Sequence, residues 1–70
     1  MTQVDQARKL ELAGAYAHYR KMADTAFREK DGALSCGAAA TAHYWADVFR
    51  QEFGLVNTDQ AVAEIRRLLR

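Results

Sequence analysis

Ser35-Cys36-Gly37-Ala38-Ala39-Ala40-Thr41-Ala42, running straight into His43-Tyr44-Trp45-Ala46-Asp47-Val48-Phe49, is the stretch that decides the fold. At 3.6 residues per turn it reads as one helix, small along its first half and aromatic along its second. Small side chains let a neighbouring helix backbone come close, while Trp45, Phe49 and Phe53 supply the buried area that a short chain otherwise lacks. Ala38, Ala42, Trp45 and Phe49 form one ridge, flanked by Ala39, Ala46 and Phe53. Such a ridge is a packing surface, and it predicts an all-α fold.

The chain has no proline, and of its four glycines Gly32 and Gly54 stand where the helical period breaks. They divide one helical domain, residues 1–70, into helices over about 4–30, 32–53 and 58–69. Thr2-x-x-Asp5 is a capping-box-like start for the first helix. Leu12, Tyr16, Tyr19, Ala23 and Ala26, with Phe27 beside them, make its apolar stripe, and Gly14, His18, Lys21, Thr25 and Arg28 its wet face. Asp31 can cap the second helix and Gly32 relax the turn, with Ser35 as a competing cap. Gly54 suits a left-handed stop, followed by Leu55 for the hydrophobic contact that accompanies one. Asn57 can cap the third helix while Gln60 answers from its third position. Val62, Ile65 and Leu69, with Ala61 and Leu68 adjacent, form the apolar face of a helix too short to stand alone.

The short link from Lys30 to Gly32 folds the first two helices into a long antiparallel hairpin. Their lengths, about 40 and 30 Å at 1.5 Å per residue, do not match. The surplus first turns, with Val4, Ala7 and Leu10, are expected to lie under the third helix or under a second subunit. A core of seventy residues supplies only about 3–5 kcal/mol. Cys36, the single cysteine, cannot staple it within the chain. A homodimer, with hairpins paired as four helices, buries the most apolar surface and is the expected assembly.

Ala23-x-x-Ala26-Phe27 before Lys30-Asp31, with Ala42 and Trp45-Ala46 in the next helix, resembles the middle of a tetratricopeptide repeat. The turn is longer than in that pattern, no proline closes the unit, and one unit stands where about three are needed. The likeness is one of helical-hairpin packing, and no function is carried over from it.

Ten basic and nine acidic residues leave a net charge of +1, which argues against nucleic acid as a partner. The N-terminal residues lack the cationic-then-apolar order of a signal peptide, and no apolar run approaches the roughly 20 residues of a membrane span. With a lone thiol, read as small and buried, the expectation is a cytoplasmic protein without membrane contact. Cys36, His43 and Asp47 fall at i, i+7 and i+11, but Cys36 and His43 are about 10 Å apart along the axis, too far for thiol activation. His18, His43 and Cys36 lack metal-ligand spacing, and no glycine loop cradles a phosphate. The expectation is no catalytic residue, no metal and no cofactor.

Two groups remain as candidates for binding a partner. His43, Tyr44, Asp47 and Arg50 set an aromatic beside an arginine, a pairing enriched at binding hot spots. Arg66, Arg67 and Arg70 complement the C-terminal dipole of the last helix and are also anchors for carboxylates and phosphates. The expected function is a non-enzymatic interaction module that binds and modulates or inhibits a protein partner, comparable in scale to bacteriophage inhibitors and anti-activators working in a host cytoplasm. The alternatives are a DNA-associated transcriptional regulator, with the second and third helices as a helix-turn-helix, and a structural subunit of a larger assembly.

Overall fold

A computed structural model of the chain describes residues 3–70, with side chains from Asp5 onward. Three helices follow in order: α1 over Gln3–Arg28, α2 over Gly32–Glu52 and α3 over Thr58–Leu68. The fold is all-helical, and each helix stops one or two residues before its predicted end. The capping-box reading at Thr2 and the side chain of Val4 lie outside the described residues.

α1 and α2 run antiparallel. Arg8 near the start of α1 meets Glu52 at the end of α2, its Nη2 2.7 Å from Oε1, while Ser35 Oγ near the start of α2 donates to the Ala23 carbonyl at 3.0 Å. α3 then folds back along α1. Lys9 Nζ lies 3.8 Å from Glu64 Oε1, and further along both helices Arg66 and Leu69 share a hollow with Tyr16 and Ala17. The third helix covers α1 from about Lys9 onward and leaves the surplus first turns bare: Ala7 and Leu10, expected to be covered, are exposed.

Both reversals are built from backbone hydrogen bonds. At the end of α1, Asp31 N donates to the Ala26 carbonyl at 2.9 Å and Lys30 N to Phe27 at 3.1 Å, the pair of bonds that closes a Schellman motif. The left-handed residue this requires is Lys30, at φ 60. The turn is therefore relaxed at Lys30 and not at Gly32, which opens α2 instead. Asp31 is the cap, accepting from Leu34 N at 3.1 Å; Ser35 cannot compete because its hydroxyl is committed to Ala23. The second reversal follows the expected pattern: Gly54 has φ 67, Leu55 N donates to the Arg50 carbonyl at 3.0 Å, and Leu55 packs on the core. Asn57 Oδ1 accepts from Gln60 N at 2.9 Å. Gln60 answers one residue earlier than predicted, accepting from Val56 N at 3.0 Å.

Leu12, Ala13, Ala46, Phe49, Ala61 and Ile65 form one buried cluster where all three helices meet. Toward the α1–α2 turn the molecule thins to two helices, and the buried residues there are alanines: Ala23, Ala26, Ala38 and Ala42. This division corrects several expectations. The inward ridge of α2 is Ala38, Ala42, Ala46 and Phe49; alanine at 46 lets α1 approach, and the bulk of Trp45 moves to a half-buried edge of the cluster. Phe27 is not part of the core. It is 76% exposed, because α3 ends beside Tyr16, eleven residues short of it. Leu69 falls past the last turn of α3 and is 48% exposed rather than buried. Cys36 is exposed, not buried, since its neighbours Ser35 and Ala38 are the ones turned toward α1. Thr25 is half-buried where a wet position was expected.

Phe49→Ala should cost about 3–5 kcal/mol and unfold so small a domain, whereas Trp45→Ala should cost about 1–2 kcal/mol, in keeping with its partial burial. Thermal melts by circular dichroism separate the two, and equal losses would contradict the assigned seam. Lys30→Gly should raise stability by about 0.5–1 kcal/mol, because the relief of a left-handed non-glycine residue exceeds the entropy that glycine adds to the unfolded chain. A lowered melting temperature would overturn that account.

Candidate functional site

The middle of α2 carries the first candidate group. Tyr44 is 59% exposed, and its ring meets Trp45 edge to face, with centroids 5.3 Å apart at 74°. The two rings stand at consecutive positions of α2, and the half-buried Trp45 extends the aromatic surface at Tyr44. His43 is exposed beside them. Asp47 organises the next turn, its Oδ1 accepting from Arg50 Nε at 2.9 Å and its Oδ2 from Gln51 Nε2 at 2.8 Å. Arg50 is therefore oriented along its own helix by Asp47. The group presents an aromatic pair flanked by an imidazole and a locally balanced carboxylate–guanidinium network.

The arginines of α3 separate in role. Arg67 pairs with Glu64 one turn back, a within-helix tie. Arg70 is exposed at the last position. Arg66 lines a hollow with Tyr16, Arg20, Asp24 and Arg28. So the two predicted groups are not brought together: Arg66 joins cations of α1 that were not among the predicted site residues. A signal for them existed in the recurrence of Arg20, Lys21 and Arg28 at helical spacing. It was masked by Asp24 between them and by the near-zero net charge of the whole chain.

Other charges hold the helices in register. Arg8 spans α1 and α2, its Nε donating to Glu52 Oε2 at 3.0 Å and its Nη1 to Glu11 at 3.0 Å. Lys9 lays its ammonium 5.1 Å over the Phe53 ring while facing Glu64 of α3, so its aliphatic stem covers apolar surface and its charge stays at the rim. The hydrogen bond from Arg8 holds the Glu52 carboxyl below the ordinary value of 4.5. That from Arg67, reinforced by the charges of Arg67 and Lys9, does the same for Glu64.

Among the described residues, no group of three or more histidines, cysteines, aspartates or glutamates is placed to hold a metal ion, and no helix is long and apolar enough to cross a membrane. Comparison with protein-family models, with curated proteins and with solved structures finds no match.

Because the folded state holds Glu52 and Glu64 below their ordinary value, the unfolded chain binds the extra protons in acid. The stability they contribute is complete above that ordinary value and is lost as pH falls through 4.5 toward the lowered folded values. The melting temperature should therefore drop between neutral pH and about pH 3.5, and the drop should be smaller in Glu52→Gln and Glu64→Gln. An unchanged acid sensitivity in both variants would contradict the ion-pair assignment.

Proposed function

We propose that this chain is a small, non-enzymatic protein–protein interaction module that assembles as a homodimer and binds a protein partner in the cytoplasm, modulating or inhibiting it. The observation that carries this reading is the unevenness of the molecule. Half of the hairpin has a three-helix core, while the other half has an alanine seam inside and apolar side chains outside. Met22, Ala26 and Leu34 line a hollow between α1 and α2 together with His18, Lys21, Thr25 and Glu29, and Leu34 is 48% exposed. A second copy seated on that strip would supply the apolar volume that the alanines lack. The Tyr44–Trp45 pair on α2 offers the partner surface, being aromatic, exposed at Tyr44 and anchored through Trp45 on the core cluster.

The DNA-associated reading draws on the cations of α3 but has less support. Ala61 and Ile65 are turned into the core, Arg67 is tied to Glu64, and Asp59 stands in the first turn of α3, where phosphate would be repelled.

Sedimentation equilibrium at micromolar concentration should find a species of twice the 7.9 kDa chain mass. Tyr44→Ala should melt as the native chain does yet fail to capture the partner that the native chain retains from lysate. A concentration-independent monomer would remove the dimer, and undiminished capture by Tyr44→Ala would move the binding surface elsewhere.

A further inference from the structure

We propose that the strip of α1 beyond the end of α3 is a docking groove for an acidic, amphipathic helix of a partner protein. Two adjoining hollows define it, and Arg28 lines both. Five cations border them, Arg20, Lys21, Arg28, Lys30 and Arg66, against one carboxylate, Asp24, which Arg20 already engages at 3.4 Å. In a chain whose net charge is +1, this is a strong local concentration of positive charge. Arg28 donates to the Thr25 hydroxyl at 3.3 Å. Among the described residues no ion pair engages Lys21, Arg28, Lys30 or Arg66.

Apolar surface lies within the same frame. Leu69 and Tyr16 sit at one end and Phe27 at the other, the last largely in solvent. Tyr16 and Phe27 are eleven residues apart, so the strip is about 16 Å long. α3 itself has eleven residues and covers the preceding stretch of the same helix. A partner helix of similar length would continue along α1 where α3 stops, its apolar side on Leu69 and Phe27 and its carboxylates on the flanking cations. Charge excludes a second copy in a twofold arrangement here, because Arg28 and Arg66 would meet their own like. The mixture of apolar floor and cationic rim also favours an acidic peptide over a phosphate backbone, which offers nothing to Phe27.

This inference rests on the reading of the chain as a protein-binding module, and its test is separable from that reading. The probe is a fluorescein-labelled, end-capped helical peptide of about twelve residues, with leucines along one face and glutamates along the other. Fluorescence anisotropy at physiological salt should show binding of this peptide and none of its counterpart with lysine for glutamate. Phe27→Ser, Arg28→Glu and Arg66→Glu should each weaken it at least roughly tenfold while keeping the helical circular-dichroism signal. Three separate positions keep the test open should one variant fail to fold. Equal binding of both peptides, or unchanged affinity in the variants that fold, would overturn the groove. So would tighter binding of a labelled DNA duplex, or loss of the dimer in Phe27→Ser. If the peptide fails while Tyr44→Ala still abolishes partner capture, only the groove falls. If the peptide binds as expected while Tyr44→Ala captures the partner undiminished and the chain is monomeric, the α2 surface and the dimer fall instead.

Discussion

The close contact between α1 and α2 along an alanine seam is the constraint on which the rest of the structure depends. Ala23 and Ala26 from one helix and Ala38, Ala42 and Ala46 from the other are all buried. Alanine favours both helices and lets their backbones approach, but each residue removes little apolar area from water. A hairpin joined by alanines alone would be marginal. The volume has to come from a third element, and α3 delivers it at the open end, where Ala61 and Ile65 close over Leu12 and Phe49. The molecule is accordingly stout at one end and thin at the other, within an envelope of 42 × 21 × 15 Å.

Placement of α3 falls to two kinds of restraint acting together. The Gly54 stop and the Asn57 cap confine the linker to a few residues with satisfied backbone groups, which limits the directions α3 can take. Lys9, with its stem on Phe53 and its charge toward Glu64, then selects the direction along α1. At 3.8 Å and at the rim of the core, the Lys9–Glu64 pair contributes orientation more than resistance to unfolding. Burial of Ile65, Leu12 and Phe49 stabilises the fold far more than this pair does.

The candidate surface on α1 is a consequence of where α3 ends. Had it been about three turns longer, it would have covered Phe27 and placed more of its own side chains among Arg20, Lys21 and Arg28. Stopping beside Tyr16, it leaves an apolar and cationic strip on α1, while the aromatic pair of Tyr44 and Trp45 stands on α2. The chain thus carries two chemically different faces, one cationic and one aromatic with balanced charge, and each suits a different kind of contact.

The periodicity of local residues was enough to establish the three helices, the antiparallel hairpin, the Asn57 cap and the left-handed Gly54, because each depends on neighbours within a turn or two. Between Asp31 and Ser35 as the cap of α2 it could not choose, since the acceptor that occupies the Ser35 hydroxyl is the Ala23 carbonyl of α1. What periodicity could not rank was residues one step apart on the same helix. Ala46 and Trp45 both border the inward face of α2, and only the approach of α1 decides that the smaller one is enclosed. Phe27 lies close to the apolar stripe of α1 by spacing, yet it is bare because a helix far along the chain ends too soon to reach it. Lys30, rather than the nearby Gly32, takes the left-handed conformation because the hydrogen bonds of Asp31 and Lys30 back to α1 set where the reversal falls. The cationic cluster is likewise a tertiary product: Arg66 joins Arg20 and Arg28 only once α3 lies on α1, a proximity that no spacing along the chain encodes.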